Sequence, residues 1–275
     1  MKSGLLALTF FIYVTGGIAL ASPKRVISLS PAITEIIYEL GEQDKLVVVS
    51  DYSDFPEAAK SKMRVGAYSH PDLEKIFLLK PDLVLVPNEG SKEILQRFEV
   101  LKVPYKVVEM TTLNSIIKAE NRIATWLGVP EKGLRIQKYW SEKLKVAFKN
   151  SNKSAVRVLV EIQHEPLMVA GAQTFLDEIV RGCGGQNIFS DTVGYPRVSL
   201  EAVSNLKPQI ILIADYLEKT ESKEKILKSW QEFLPTKNSA VHVLDPNITT
   251  RPGPRLMSGI ENICEIIKNF KHEKF

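Results

Sequence analysis

A chain of 275 residues with 44% hydrophobic content suits two globular domains of ordinary size. The formal net charge of +4 is small and unclustered, which argues against nucleic acid as a partner. In chain order, the first feature is a targeting segment. Lys2 is followed by an apolar run over residues 5–14, and Ala19-Leu20-Ala21 fits a small-residue cleavage site before Ser22. Thr15-Gly16-Gly17 interrupts the run, whereas a spanning helix wants about 20 apolar residues. Residues 1–21 are therefore expected to be a signal peptide, with an exported mature chain beginning at Ser22. No cysteine follows the apolar run, so a lipid anchor at a mature N-terminal Cys is not expected.

The mature chain alternates short apolar runs with helical stretches. Strands are expected at 26–29, 46–49, 83–86, 105–108, 156–162, 210–214 and 240–244. Their near-continuous Val, Ile and Leu content indicates parallel strands covered on both faces, as βαβ crossovers require. Ser30-Pro31 reads as a helix cap and first-turn proline, with Gly41 closing that helix. Residues 130–149 carry Leu134, Tyr139, Trp140, Leu144 and Phe148 at helical spacing, and a helix of that length spans about 30 Å. The expected organisation is an α/β fold of two Rossmann-like lobes, each around a central parallel sheet. The lobes occupy 22–128 and 153–275, joined by one long helix in 129–152. Such a stiff connector limits closure of the lobes.

One phrase occurs twice. Asp72-Leu73-Glu74 leading to Lys80-Pro81-Asp82-Leu83-Val84 returns as Ser199-Leu200-Glu201 leading to Lys207-Pro208-Gln209-Ile210-Ile211. Both read as cap, short helix, Lys-Pro break and buried strand. The separation is far longer than a solenoid period. Asp72 and Ser199 cap their helices, so Glu74 and Glu201 fall in first turns. There an acid interacts favourably with the helix dipole by about 0.3–1 kcal/mol, which alone would account for either one. Two equivalent loops presenting one acid each also form a docking surface for a two-fold symmetric partner. Arginine is the natural counterpart.

Aromatics gather where strands end: Tyr52 and Phe55 after 46–49, Tyr68 before the first repeat, and Tyr195 before the second. In open α/β sheets that edge binds ligands. Phenol rings there suit a large, flat, amphipathic guest, although ordinary half-buried packing is the simpler reading of any one of them. Asn88 and Glu89 follow the third strand and can reach the same space. Arg251 and Arg255, in a loop stiffened by Pro252, Gly253 and Pro254, suit amide, phosphate or carboxylate groups, or simply solvent. His70 and His164 also fall at strand ends. Each is either a polar loop residue or an axial ligand to a metal centre carried by the guest.

Cys183 and Cys264 are the two cysteines. Export makes a structural bridge the favoured reading, against a reactive thiol or two buried free thiols.

As a set, these segments resemble the periplasmic substrate-binding proteins of ABC importers with a single rigid helix between lobes, the group handling cobalamin, haem and iron–siderophores. The residues that carry the likeness are Arg25 to Ala32 with Thr34-Glu35, Tyr52-Ser53-Asp54-Phe55-Pro56, and both Leu-Glu…Lys-Pro repeats. In the second half they are Cys183-Gly184-Gly185-Gln186-Asn187, Tyr195-Pro196-Arg197 and Pro254-Arg255. Within the group the likeness is greatest to cobalamin binders. It implies capture of a corrinoid in the periplasm by a monomer that performs no chemistry and uses no cofactor or bound metal of its own. Glu74 and Glu201 would dock on arginines of a membrane permease dimer, and Cys183 and Cys264 would be bonded. Tyr68 and Tyr195 would hold ring-stacking positions where the cobalamin binders carry tryptophan, with Tyr52 and Arg251 or Arg255 completing the pocket. Asn88, His164 and Met168 depart from the pattern. Trp126, Trp140 and Trp230 read as packing residues. Haem or a ferric siderophore is the alternative ligand. An exported enzyme lacks support from any nucleophile elbow, H-E-x-x-H, P-loop or G-x-G-x-x-G motif. A free-metal carrier needs three or four converging ligands, and only His70, His164 and Asp245 are at hand.

Overall fold

The computed structural model describes residues 22–88, 92–149, 156–216, 220–233 and 240–272. Residues 1–21, where a signal peptide is expected, Glu89 and the end of the linking segment lie outside them. The first lobe runs β1 (Val26–Ser28), α1 (Pro31–Glu39), β2 (Leu46–Val49), β3 (Met63–Arg64), α2 (Leu73–Leu78), β4 (Leu83–Pro87), α3 (Lys92–Val100), β5 (Tyr105–Val108) and α4 (Leu113–Trp126). Then comes α5 (Pro130–Lys149). The second lobe runs β6 (Arg157–Gln163), β7 (Met168–Val169), α6 (Phe175–Gly182), β8 (Gln186–Asn187), α7 (Leu200–Leu206), β9 (Ile210–Ile213), α8 (Thr220–Phe233), β10 (Ala240–Val243), α9 (Pro246–Thr249) and α10 (Leu256–His272).

The first sheet has the order β3-β2-β1-β4-β5 and is parallel throughout. The second has the order β10-β9-β6-β7, with β8 also paired to β6. Here the all-parallel expectation fails in one place, because β7 turns back antiparallel on β6. Every residue of β1, β4 and β9 is buried, which is why these strands read as unbroken apolar runs.

The duplication holds in atomic detail. The Asp72 side chain accepts from the Lys75 N–H at 2.9 Å, and Ser199 Oγ accepts from the Ala202 N–H at 3.2 Å. Lys80 and Lys207 both take left-handed backbone, with φ of 44° and 48°, immediately before their prolines. Two further matches were not apparent in the sequence. The Arg25 guanidinium donates to Leu79 O, and Arg157 Nε donates to Lys207 O. The backbone N–H groups of the same arginines donate to the Asp82 and Gln209 side chains. Each repeat is thus anchored to its sheet by one arginine, with the acceptor carbonyl one repeat position further along for Arg157, and Glu74 and Glu201 occupy equivalent exposed positions.

The chain crosses between the lobes once, through α5, and apolar packing adds to that join. A single apolar cluster runs from Ile33, Ile36 and Ile37 on α1 through Ile116 and Ile123 on α4 and Trp140 and Leu144 on α5. It continues to Ile179 on α6 and Ile260, Ile263 and Ile267 on α10. Separate clusters fill the opposite face of each sheet. Gly133 lets α5 approach α4 closely: a Cβ there would stand 2.5 Å from that of Ala124. Cys183, at the end of α6, is disulfide-bonded to Cys264 of α10, which ties the frame covalently.

One carboxyl sits inside this frame without partners. Glu120 on α4 is 1% exposed and neither of its oxygens is hydrogen-bonded. Burial, reinforced by the charge of Glu39, pushes it up to about 9 from an ordinary 4.5. Between those values the folded chain holds a proton that the unfolded chain has lost, so stability falls as pH rises. By neutral pH the loss amounts to about 3 kcal/mol. Glu120→Gln is therefore expected to raise the melting temperature at pH 7–8 while changing little near pH 4.5. Melting curves that shift equally at both pH values would contradict this.

Candidate functional site

The loop after β2 is pinned from below. Ser53 Oγ lies 2.9 Å from Ser50 Oγ and 3.0 Å from Thr34 Oγ1, all buried. This buried hydroxyl network fixes the loop that displays Tyr52, Asp54 and Phe55. Tyr52 is 65% exposed, Tyr68 40% and Tyr195 41%, a high level for phenol rings. All three stand in segments beyond strand ends, as does exposed His70, whose Nδ1 is 3.1 Å from Ser69 Oγ.

The two arginines meet protein carboxylates rather than open space. Arg255 forms a two-pronged pair with Glu35, donating from Nε at 2.9 Å and from Nη2 at 2.6 Å. Its guanidinium also lies 4.1 Å from the centre of the Phe55 ring. Arg251 Nη1 donates to Asp54 at 2.6 Å and stands 3.5 Å from Glu35, while its Nε donates to the Tyr216 hydroxyl at 3.3 Å. Burial tends to lower the Arg251 pKa, but Asp54 and Tyr216 outweigh it and the net direction is upward. Asp54 is lowered: burial acts the other way, and the hydrogen bond and charge of Arg251 prevail. Both arginines come from the second lobe and all three of these acidic and aromatic partners, Glu35, Asp54 and Phe55, from the first. The cluster is a clasp between lobes. A separate tie has Glu178 Oε2 accepting the Leu113 N–H of α4 at 2.6 Å. A hollow of about 640 Å³ opens beside it, lined by Glu109, Thr111 and Thr112 from one lobe and Gln173, Arg181 and Ser190 from the other.

Asn88 is also engaged. Its amide donates to Thr111 Oγ1 at 2.8 Å and its carbonyl accepts the Met110 N–H at 3.0 Å, fixing the loop after β5. His164 stands just past β6. Its backbone N–H donates to Asp215, and its ring Nδ1 is 2.9 Å from Glu161 Oε1. Glu161 is fully buried and also accepts the indole N–H of Trp230. Burial holds the Glu161 carboxyl above its usual range, against the pull of His164 and Trp230, and Asp215 adds to the rise. His164 Nε2 makes no hydrogen bond to a described residue, and the side chain is 22% exposed. Among the described residues no three His, Cys, Asp or Glu side chains converge as a metal site.

Sequence reasoning missed Glu35, Asp54 and Tyr216 as members of the clasp, and Glu161 as the partner of His164. Thr34-Glu35 and Asp54 stood within quoted motifs, but nothing local identified their partners. Trp230 was read as packing, and it is 1% exposed. Its bond to Glu161 was not foreseen.

Residues 26–247 match the family described as periplasmic binding protein. The chain belongs to that family. The binding protein is 33% identical over 266 residues to the vitamin B12-binding protein of Pectobacterium carotovorum subsp. carotovorum, covering 93% of this chain and 94% of the relative. It is 31% identical to the vitamin B12-binding protein of Vibrio vulnificus, covering 91% and 92%. Among solved structures, the periplasmic vitamin B12-binding protein BtuF of Vibrio cholerae superposes with a TM-score of 0.80 at 28% identity, over 91% of this chain and 98% of that one. A periplasmic heme-binding protein from Pseudomonas aeruginosa superposes with a TM-score of 0.77 at 27% identity, over 88% and 91%. Proteins of this family bind substrates and deliver them to ABC transporter permeases.

Proposed function

We propose that this binding protein captures cobalamin, or a closely related corrinoid, in the periplasm between its lobes. It then delivers the ligand to the permease dimer of an inner-membrane ABC importer. The observation that carries the ligand reading is the set of exposed phenol rings, Tyr52, Tyr68 and Tyr195, standing beyond the strand ends of a frame closely similar to vitamin B12-binding relatives. Exposed rings with hydroxyl edges fit a broad, flat macrocycle that is apolar on its faces and rimmed with amides. The protein acts as a monomer, after removal of residues 1–21, and transforms nothing. Because the clasp and the shared core hold the lobes, affinity derives from a preformed groove rather than from closure. Glu74 and Glu201 are the docking acids; their matched anchoring supports a grip on two equivalent arginines of a symmetric dimer.

Haem is the second reading, and one observation favours it. A histidine whose Nδ1 is held by a buried carboxylate and whose Nε2 is unengaged is arranged as a metal ligand. Purified protein titrated separately with cyanocobalamin and hemin decides between the two. Cyanocobalamin is expected to raise the melting temperature and hemin to leave its Soret band unshifted. A Soret shift without stabilisation by cyanocobalamin would overturn the corrinoid assignment.

A further inference from the structure

The two docking acids are equivalent, but their neighbours are not. One turn beyond Glu74 on α2 stand Phe77 and Leu78, which are 48% and 75% exposed. The same repeat positions beyond Glu201 on α7 are Ser204 and Asn205. Residues three and four positions apart share a helix face, so Phe77 and Leu78 flank the Glu74 carboxylate directly. Across from them on α3 stands Val100, 82% exposed, followed by Leu101 at 38%. Together these side chains line a groove of about 710 Å³, with Glu74 itself part of the wall. Large exposed apolar side chains concentrated in one groove mark an interaction surface.

We infer that this groove receives an apolar side-chain cluster of the permease subunit that meets the first lobe, and that it makes the two halves of the docking face unequal. The inference rests on the docking role proposed for Glu74. The occupant follows from continuity: Phe77 and Leu78 line the same groove as Glu74, so the partner segment that brings a cation to Glu74 is placed beside them. Fully desolvated apolar anchors beside a charge pair are what give such contacts their strength. The matched acids by themselves guide approach more than they hold. The groove adds a hold on one side alone, so one permease subunit carries most of the binding.

The test transplants the second lobe's residues into the first. Phe77→Ser with Leu78→Asn changes exposed positions and is expected to leave melting temperature and cyanocobalamin affinity unchanged. Docking on the importer's permease dimer in nanodiscs is expected to weaken roughly ten-fold or more. Wild-type docking by this variant, alongside loss of docking by Glu74→Arg with Glu201→Arg, would overturn the groove proposal and leave the docking acids standing. If the charge-reversed protein also docks normally, the docking reading itself fails. Concentration-dependent dimers of the wild-type mature chain that Phe77→Ser with Leu78→Asn dissolves would assign the groove to a second copy, against the proposal. Full-length chain that hides the groove, where the chain from Ser22 exposes it, would assign it to residues 1–21 and equally overturn it.

Discussion

Replacing Glu35 with Gln is expected to destabilise the protein by about 3–5 kcal/mol, the usual cost of breaking a buried ion pair from one side. Glu35 is 3% exposed, takes both prongs of Arg255 and stands 3.5 Å from Arg251, which is itself 9% exposed. Without the carboxylate, two guanidinium groups remain close together with only the half-exposed Asp54 to balance them. For a chain of this size the loss corresponds to roughly 10 °C in melting temperature. Because the arginines come from one lobe and Glu35 from the other, the variant is also expected to broaden the distance distribution between spin labels placed on the two lobes. Glu35→Gln combined with Arg255→Met is expected to recover part of the stability, since an apolar replacement of a buried pair is often neutral. A loss below about 1 kcal/mol, with unchanged label distances, would show that the clasp is incidental.

The second large effect concerns the disulfide. Cys183 and Cys264 are 81 residues apart in sequence, so their bond removes loop-closure entropy of about 4.5 kcal/mol from the unfolded chain. Cys183→Ala with Cys264→Ala is expected to lower the urea midpoint accordingly. The effect should match that of reducing the wild type under mild denaturation. The bond fastens α6 to α10, the two second-lobe helices that complete the shared core with α4 and α5. Its loss is therefore expected to loosen the join between lobes and not only the second lobe. A midpoint that moves by less than a quarter of this would mean the frame is held by its apolar cluster alone.

The sequence made the frame legible because its signals are local. The strands at 46–49 and 105–108 coincide with the runs that announced them, and the long helix occupies 130–149 as its spacing indicates. The repeat was visible in its Leu-Glu and Lys-Pro landmarks, and its equivalence extends to the αL lysines. The strands β3, β7 and β8 were missed because two residues carry no periodicity. The clasp was illegible for another reason. Arg255 lies 220 residues from Glu35, and Arg251 lies 197 from Asp54, so no spacing rule links them. The arginine loop was recognised as a place of chemistry, but its ion pairs with the opposite lobe were not foreseen. His164 shows the same limit, since its environment is set by Glu161 on the strand before it and by Trp230 on a distant helix. The groove beside Glu74 required the structure too: α3 and the residue after it supply Val100 and Leu101 from a segment whose sequence reads as an ordinary amphipathic helix.

The central claim is that a preformed gap between rigid lobes takes a corrinoid against the tyrosines of both. A crystal structure of the mature chain with cyanocobalamin tests it most directly. The corrin ring should lie between Tyr68 and Tyr195, with the Arg255–Glu35 pair intact and the lobes superposing on the unliganded arrangement. A ligand seated away from both tyrosines, or lobes that swing shut around it with the clasp broken, would contradict the account.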